Sequence, residues 1–381
     1  MKIIIAPDSF KESMTAVAAT EAIEKGIKKV LPNATIAKFP MADGGEGTVE
    51  ALVNSMDGSL ITHSITGPLG EQREAQYGII NDHTAVIEIA AAVGLQLVPP
   101  EKRNPLKTTT YGIGEFIIHA LNKGIRHFII GLGGSSTNDG GIGMAQALGA
   151  EVTDERGHPV HFGGQGLSEV KHISIDKLDQ RLKQCTFDIA CDVENPLTGQ
   201  NGAAYIYGPQ KGANEKMVAN LDQSMQNYAN ILKRDLHVDV NHVKGAGAAG
   251  GLGAAFIAFL HGTLKSGIDI ITTITGIESH IKTADLVITG EGKIDDQTIF
   301  GKTPVGVAKI AQKYGVPVIA ITGANEITSP AIYEAGIKAI FSITNKPMTL
   351  EEAMEYSEAL TEQLVENIIR FIIANEGMSS R

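Results

Sequence analysis

The chain has 381 residues, which is long for one ordinary hydrophobic core, so we expect two domains. Its formal net charge of −11 argues against binding to nucleic acid or to an anionic membrane, because both would need a basic surface. The two cysteines have no metal-ligand spacing, and no apolar stretch has the length of a signal-peptide core or of a membrane span. We therefore expect a cytoplasmic protein.

The first part of the chain alternates short strands and helices. Residues 2–6 predict a strand, a helix with Ile23 and Ile27 on one face ends at Pro32, and residues 35–39 predict a second strand. Another helix follows the glycine-rich sequence MADGGEGT. This βαβα order is the beginning of a parallel sheet.

The pattern changes near residue 60 and returns near residue 284. Between residues 60 and 90, strand-length pieces are separated by turn signals without a helix, which predicts an antiparallel meander. The alternation of strands and helices resumes with the predicted strands DLVITG, VPVIAITG and AIFSIT, and one long helix is predicted over residues 351–374. We therefore predict a discontinuous domain of residues 1–60 and 281–381, doubly wound around a parallel sheet, and an inserted α/β domain of residues 61–280 with a mixed or antiparallel sheet.

A glycine-rich loop lies between a predicted strand and a helix in the inserted segment, FIIGLGGSSTNDGGIGM. Its glycines allow close approach to a ligand, its hydroxyls can donate, and the free N–H groups of the following helix attract anions. These features predict a phosphate site formed by Gly133, Gly134, Ser135, Ser136 and Thr137. Asp139 would repel phosphate unless a cation such as Mg²⁺ lay between them, or it could simply cap the helix.

Acidic residues follow several predicted strands, with lysines near them in the sequence. Phosphoryl transfer from ATP needs lysines to stabilise developing charge, carboxylates to hold Mg²⁺, and a carboxylate to accept the proton of the attacking hydroxyl. Each acid alone is more often a helix cap or a solvated loop residue, but their shared position after strands favours an active site between the domains. The set comprises Asp8 with Ser9 and Lys11, Asp43 with Glu46, Asp192 with Glu194, and Glu291 with Lys293, Asp295, Asp296 and Lys302.

Two other sequences come close to nucleotide-binding motifs. GAGAAG at residues 245–250 matches the dinucleotide fingerprint, but no strand precedes it, and packing of small residues at a helix start explains it more simply. DQTIFGKT at residues 296–303 has Asp where a phosphate-binding loop needs Gly. Thr303 before Pro304 predicts the cap and first residue of a helix, which leaves Lys302 as the candidate for function.

Several stretches together resemble the bacterial glycerate kinases of the first type. They are APDSFKES, MADGGEGT, GLGGSSTNDGG, CDVENPLTG, GAGAAGGLGAA, ITGEGKIDDQT and GKTPVGVAK, in this order along nearly the whole chain. The resemblance implies a two-domain α/β enzyme with a discontinuous, flavodoxin-like domain that phosphorylates D-glycerate to 2-phosphoglycerate with Mg-ATP. One departure is Glu12, where the family is expected to have Gly, and it bears on the flexibility of that loop.

The resulting hypothesis is an ATP-dependent glycerate kinase acting on small molecules, as a monomer or homodimer. The predicted site residues fall into four groups: Lys11, Lys293, Lys302 and Arg103 for phosphate or the substrate carboxylate; Asp43, Asp192 and Asp295 for Mg²⁺ and the general base, with Asp139 as a further metal ligand; Asp8, Ser9, Glu46 and Glu291 around the substrate; and Gly133 to Thr137 for the nucleotide phosphates. Two alternatives are a nicotinamide-linked hydroxy-acid dehydrogenase and a non-catalytic sugar-acid sensor.

Overall fold

A computed structural model describes residues 1–379 of the chain. Contacts divide the chain into two units. Unit 1 consists of Met1–Asp43, Glu50–Met56 and the chain from Ile268 onward, and unit 2 consists of Gly44–Val49 and Asp57–Gly267.

The helices and strands alternate along most of the chain. In chain order, the first half contains β1 (Lys2–Pro7), α1 (Ala16–Val30), β2 (Thr35–Lys38), α2 (Thr48–Ser55), β3 (Ser59–Thr66), β4 (Gln72–Ile80), β5 (Thr84–Glu88), α3 (Ile89–Val93), α4 (Tyr111–Asn122), β6 (His127–Gly131), α5 (Ile142–Ala147), β7 (Glu151–Thr153), β8 (His172–Ser174) and β9 (Thr186–Ala190). The second half contains α6 (Ala203–Tyr207), α7 (Glu215–Asp235), α8 (Ala248–Leu260), β10 (Thr263–Lys265), α9 (Gly267–Thr275), α10 (Ile277–Ile281), β11 (Leu286–Asp295), α11 (Thr303–Lys313), β12 (Val318–Glu326), α12 (Ala331–Glu334), β13 (Ile337–Ser342), α13 (Leu350–Glu355) and α14 (Ser357–Ser379).

Unit 1 is built on a five-stranded parallel sheet. Its strand order is β2-β1-β11-β12-β13, and Ile3 of β1 pairs with Leu286 of β11. Numbered by appearance within the unit, this is the order 2-1-3-4-5 of flavodoxin-like folds, in which ligands bind where the strand order reverses. The predicted discontinuous doubly wound sheet is therefore confirmed, and β1 and β11 mark the reversal.

The core of unit 1 explains why the two ends of the chain meet. Ile3 and Ile5 lie on the same face of β1 and are fully buried in one cluster with Ile23 and Ile27 of α1 and Val365 of α14. Burying each of these side chains contributes about 1.5–3 kcal/mol. The same apolar stripe that predicted α1 thus packs α1 against the last helix.

Unit 2 contains a six-stranded mixed sheet in the order β10-β9-β6-β5-β4-β3. Strands β3, β4 and β5 pair antiparallel, as the turn signals predicted, whereas β5, β6, β9 and β10 pair parallel. The carboxyl ends of β6 and β9 lead into the glycine-rich loop and into the sequence CDVENPLTG. The prediction of an inserted α/β domain with a mixed sheet is confirmed.

The end of the chain differs from the single helix that was predicted. Two helices, α13 and α14, replace it, and Tyr356 separates them with φ −98° and ψ 11°. Helix α13 begins with a capping box in which Thr349 and Glu352 exchange hydrogen bonds. Among residues 1–379, no helix combines the length and the apolar composition that a membrane span requires.

The loop after β1 contains a tight turn with an unusual residue at its third position. The N–H of Ser13 donates to the carbonyl oxygen of Phe10 at 2.8 Å, and Glu12 has φ +62°. A positive φ at this position of a turn favours glycine, because only glycine adopts it without a steric penalty. The backbone therefore gives a physical reason for the glycine that the resemblance led us to expect.

We expect Glu12→Gly to raise the free energy of unfolding by about 0.5–1 kcal/mol, since it relieves the strain of a left-handed residue but adds freedom to the unfolded chain. Urea unfolding monitored by circular dichroism measures the change. Glu12→Ala is the matched control, because alanine also removes the exposed side chain but keeps the Cβ atom. An equal gain in both variants would contradict the backbone explanation.

Candidate active site

Asp8 lies directly after β1, where the strand order of the unit 1 sheet reverses. Its main-chain N–H donates to the carbonyl oxygen of Gly290 at 2.8 Å, which fixes it against β11. The carboxylate accepts hydrogen bonds from the N–H of Ser9 at 2.6 Å and from the hydroxyl of Thr303 at 2.6 Å. Thr303 was predicted to be a helix cap, but Lys302 occupies the cap position and the Thr303 hydroxyl binds Asp8.

The electrostatic surroundings of Asp8 raise its pKa to about 7. Burial is the largest cause, and the negative charges of Asp43 and Glu291 add to it, while the hydrogen bond from Thr303 acts in the opposite direction. Three acids that were grouped only by their position after strands therefore interact in unit 1. A carboxyl group that titrates near neutral pH is well suited to accept a proton from an alcohol.

Glu291 and Asp295, both on β11, flank the ammonium group of Lys302. The Nζ atom lies 3.5 Å from Glu291 Oε2 and 3.9 Å from Asp295 Oδ1. Glu291 also accepts a hydrogen bond from the hydroxyl of Thr298 at 2.8 Å, and burial raises its pKa. Because both ion-pair distances are long, Lys302 can move toward an anionic ligand at little electrostatic loss.

The other two lysines predicted for unit 1 differ in their surroundings. Lys293 forms an ion pair with Glu326 at 2.6 Å and lies 3.7 Å from Asp295. Lys11 is exposed, and its side chain makes no hydrogen bond or ion pair with the part of the chain that the structure describes. Lys11 is thus the predicted lysine whose charge is least neutralised by its neighbours.

The glycine-rich loop after β6 is buried within unit 2. Ser135, Ser136 and Thr137 are 6%, 2% and 0% exposed. The Ser136 hydroxyl donates to the carbonyl oxygen of Val93 at 2.8 Å, and the Thr137 hydroxyl is enclosed without a partner in residues 1–379. Ser135 accepts a hydrogen bond from the ammonium group of Lys211 at 2.9 Å. Of the three hydroxyls predicted to bind phosphate, Ser135 is therefore the most accessible.

Two glycines of this loop are needed because another backbone passes close to them. A Cβ atom on Gly131 would lie 2.3 Å from the carbonyl oxygen of Gly44, and one on Gly133 would lie 3.1 Å from Cα of Gly45. Gly134 has φ +72°. The glycines that were predicted to let a ligand come close therefore also let two turns of unit 2 pack against each other.

Of the two roles predicted for Asp139, its structural environment fits the cap of a helix start rather than a metal ligand. It is 0% exposed, and its carboxylate accepts hydrogen bonds from the N–H and hydroxyl of Thr110 at 2.9 Å each and from the N–H groups of Gly141 at 3.0 Å and Gly143 at 3.4 Å. The helix N–H groups that were expected to bind a ligand anion bind this internal carboxylate instead. We therefore do not carry Asp139 forward as a metal ligand, because four donors already occupy its oxygens.

The GAGAAG sequence packs against the glycine-rich loop. Ala249, Gly250 and Gly251 all have positive φ within α8, and the N–H of Gly140 donates to the carbonyl oxygen of Gly250 at 3.0 Å. A Cβ atom on Gly250 would lie 2.1 Å from the carbonyl oxygen of Thr137. These glycines support the packing interpretation of the motif, because the backbone of the glycine-rich loop occupies the space beside them.

Gly250→Ala is expected to destabilise the protein by more than about 3 kcal/mol, because the added methyl group collides with a buried carbonyl group. Gly276→Ala is a matched control: Gly276 has φ +63°, similar to the +70° of Gly250, but no atom lies within 4 Å of the position that its Cβ atom would take. We expect the control to lower the free energy of unfolding by about 1 kcal/mol, from backbone strain alone. Equal losses in urea unfolding would contradict the steric explanation.

Three further predicted site residues lie in unit 2. Asp192 is exposed after β9, and its carboxylate accepts a hydrogen bond from the N–H of Gly267 at 3.1 Å. Glu46 is exposed, and its charge helps to raise the pKa of Glu88, although burial is the main cause. Arg103 is half-buried, with Nε 3.4 Å from the carbonyl oxygen of Val98.

Glu88 is a residue of this region that no sequence pattern had indicated. It ends β5, and its carboxylate accepts a hydrogen bond from the N–H of Val49 at 2.7 Å at the beginning of α2. The donor and acceptor are 39 residues apart. No local pattern could indicate this cap, because a strand from elsewhere in the chain supplies it.

The acids of unit 1 fit the chemistry of a magnesium nucleotide. Within residues 1–379, no three His, Cys, Asp or Glu side chains are arranged to hold a metal ion by themselves. Mg²⁺ commonly uses only one or two carboxylates and takes its other ligands from phosphate and water. The mutual repulsion of Asp8, Asp43 and Glu291 is the kind of charge that a divalent cation relieves.

Comparisons with known proteins agree over nearly the whole chain. The model of the glycerate kinase family matches residues 3–373. Glycerate 2-kinase of Escherichia coli (strain K12) is 53% identical over 354 residues, which are 93% of each chain. Glycerate kinase of Halalkalibacterium halodurans is 51% identical over 367 residues, covering 96% of this chain and 97% of the other. The crystal structure of a candidate glycerate kinase 2 from Salmonella typhimurium LT2 has a TM-score of 0.90 at 47% identity and covers 99% of both chains.

These similarities, together with the doubly wound fold and its acidic strand ends, make the protein a kinase, an enzyme that transfers a phosphoryl group. More narrowly, the chain belongs to the glycerate kinase family. The resemblance seen in the sequence is confirmed. The dehydrogenase and sensor hypotheses are therefore set aside.

Proposed function

We propose that the protein transfers the γ-phosphoryl group of Mg-ATP to D-glycerate and forms 2-phosphoglycerate. The observation that carries this proposal is Asp8, a carboxyl group with a pKa of about 7 placed at the reversal of the unit 1 sheet. A group with this pKa is partly ionised at neutral pH and can accept the proton of a substrate hydroxyl. The Escherichia coli relative named glycerate 2-kinase supports the choice of product.

In this proposal Asp8 is the general base. The Thr303 hydroxyl and the Ser9 N–H each lie 2.6 Å from one of the two carboxylate oxygens and orient the side chain for the hydroxyl of D-glycerate. Lys302 would bind the transferred phosphate from its place beside Glu291 and Asp295. Lys11 and Lys293, with Arg103 in unit 2, are proposed to hold the anionic groups of the substrates.

Ser135 and the neighbouring Gly133 and Gly134 are proposed to bind the nucleotide phosphates. Asp43 and Asp295 of unit 1 are the proposed ligands of Mg²⁺, which would neutralise charge on the phosphate oxygens, and Asp192 of unit 2 stays a candidate from the sequence. The protein's own contribution is to orient the acceptor hydroxyl, to remove its proton and to balance the charge of the phosphates. These assignments name the residues that we propose carry out the reaction in this member of the family.

A phosphorus NMR spectrum of the reaction products tests the proposal. The purified enzyme is incubated with ATP, MgCl₂ and D-glycerate, and we expect ADP and the resonance of 2-phosphoglycerate to increase together. A sample treated with EDTA should show neither signal. A resonance of 3-phosphoglycerate would contradict the proposed product, and ADP that forms equally without D-glycerate would contradict the proposed acceptor.

A further inference from the structure

Lys211 is almost completely buried in unit 2, although no sequence pattern had singled it out. It ends a short 3₁₀ turn, Pro209–Lys211, which follows α6, and it is only 2% exposed. Lysine is among the residues that are least often fully buried. A buried ammonium group therefore needs an explanation in terms of the groups that it contacts.

The contacts of Lys211 lead directly to the glycine-rich loop. Its Nζ atom donates to the hydroxyl oxygen of Ser135 at 2.9 Å and to the carbonyl oxygen of Thr137 at 2.5 Å. An ammonium group has donors only, so Ser135 Oγ is the acceptor in this pair. A hydroxyl has one proton of its own, and the Ser135 proton has no acceptor among residues 1–379.

The main chain beside Lys211 is firmly held. Gly212 has φ +94°, and a Cβ atom there would lie 2.2 Å from the carbonyl oxygen of Arg103, so this turn packs tightly against the segment after α3. Lys211 Nζ also lies 6.0 Å from the centre of the Tyr207 ring. The ammonium group therefore has a fixed position relative to Ser135.

Protein stability does not explain why a charged lysine occupies this buried position. Burial lowers the pKa of Lys211 to about 7, although the negative charge of Asp139 opposes this shift. An apolar side chain of similar length would fill the same space without the loss of hydration. A group that the fold keeps against its own stability often serves function.

We propose that Lys211 is a positioning residue that saturates an acceptor site of Ser135 and thereby directs the Ser135 hydroxyl proton toward an anionic oxygen of a substrate. This inference rests on the proposed function, in which the loop binds phosphate groups of the nucleotide. Phosphate and carboxylate oxygens share the required chemistry, and the experiment separates the two sources. Lys211 itself makes no contact with the ligand in this arrangement.

Calorimetric titrations of Lys211→Met with ADP and with D-glycerate test the inference. We expect the dissociation constant of ADP to rise roughly 10-fold or more, as is usual for the loss of a hydrogen bond to a charged group. The thermal midpoint is expected to fall, because the buried Thr137 carbonyl oxygen loses its donor, so the titrations are run well below the midpoint of the variant. Lys216→Met, at an exposed position near the beginning of α7, is the matched control and should change neither quantity.

Ser135→Ala provides an independent variant that removes the hydroxyl but leaves the lysine. We expect it to weaken ADP binding to a similar extent, and the double variant Ser135→Ala with Lys211→Met should be little weaker than Ser135→Ala alone. Such non-additivity is expected when one residue acts through another. A purely structural lysine would instead add its own loss of affinity in the double variant.

Each outcome decides a different question. A loss of D-glycerate affinity in place of ADP affinity would support the role of Lys211 and assign Ser135 to the substrate carboxylate. Unchanged affinities for both ligands in Lys211→Met, or additive losses in the double variant, would overturn the role of Lys211. If Lys211→Met does not fold, unchanged affinities in Ser135→Ala overturn it. A wild-type enzyme that binds no ADP would overturn the proposed function itself.

Discussion

Asp8→Asn is expected to lower kcat for D-glycerate phosphorylation by roughly 10²- to 10⁴-fold, the usual contribution of a general base. Asparagine keeps the shape of the side chain and an oxygen that can accept the hydrogen bond from Thr303. It cannot accept a proton from the substrate. The rate of ADP release in a coupled assay measures kcat, and the KM for ATP should change little because the base acts on the other substrate.

Asp43→Asn is the variant to compare with Asp8→Asn. Asp43 contributes negative charge near Asp8, so its removal should lower the pKa of Asp8. The acidic limb of the kcat/KM profile should then move to lower pH in Asp43→Asn and disappear in Asp8→Asn. A folded Asp8→Asn enzyme with normal kcat, beside an inactive Asp43→Asn enzyme, would transfer the role of base to Asp43.

The raised pKa of Asp8 also predicts how stability depends on pH. The folded protein holds this proton more tightly than the unfolded chain, so the group lowers stability as the pH rises from about 4, its ordinary pKa, to about 7. Asp8→Asn lacks this titration and should gain up to about 4 kcal/mol relative to wild type between pH 4 and pH 8. Urea unfolding at pH 5 and pH 8 measures the difference, and a constant difference at both values would contradict the assignment.

Asp139→Ala should destabilise unit 2 by about 3–5 kcal/mol, because removal of a buried carboxylate leaves its donors without partners. Four hydrogen bonds end on this carboxylate, two from Thr110 and one each from Gly141 and Gly143. The variant also removes the negative charge that favours protonated Lys211. Urea unfolding, followed by a probe in unit 2, measures the loss.

Asp176→Ala is a suitable control for this prediction. Asp176 is exposed, and its carboxylate accepts a hydrogen bond from the neighbouring Ser174 hydroxyl. We expect a change within about 0.5 kcal/mol, as is typical of surface positions. If Asp139→Ala were as mild as this control, the four donors would have other partners, and the metal-ligand interpretation of Asp139 would again need a test.

Much of the fold could be predicted because its signals are local. Apolar runs that alternate with helices predicted the sheet of unit 1, and short runs between turn signals predicted the antiparallel pairing of β3, β4 and β5. The position of Asp8 at a strand end followed from the same pattern, since the carboxyl ends of parallel strands lie at one edge of the sheet.

The parts of the site that escaped prediction depend on residues far apart in the sequence. Lys211 and Ser135 are 76 residues apart, and Thr303 and Asp8 are 295 residues apart. Asp139 shows a different difficulty: its sequence context correctly indicated N–H donors at a helix start. The sequence left open whether a bound anion or the chain's own carboxylate would occupy those donors, and the structure shows the carboxylate there.

The pairing of β1 with β11 affects the order in which the protein can fold during synthesis. Leu286 must leave the ribosome before Ile3 can acquire its partner on that side, whereas every residue of unit 2 has by then been translated. At about 5–20 residues per second, this delay lasts on the order of 15–60 s. The nascent N-terminal strand must therefore wait with one edge unpaired, and chaperones or proteases have that interval in which to bind it.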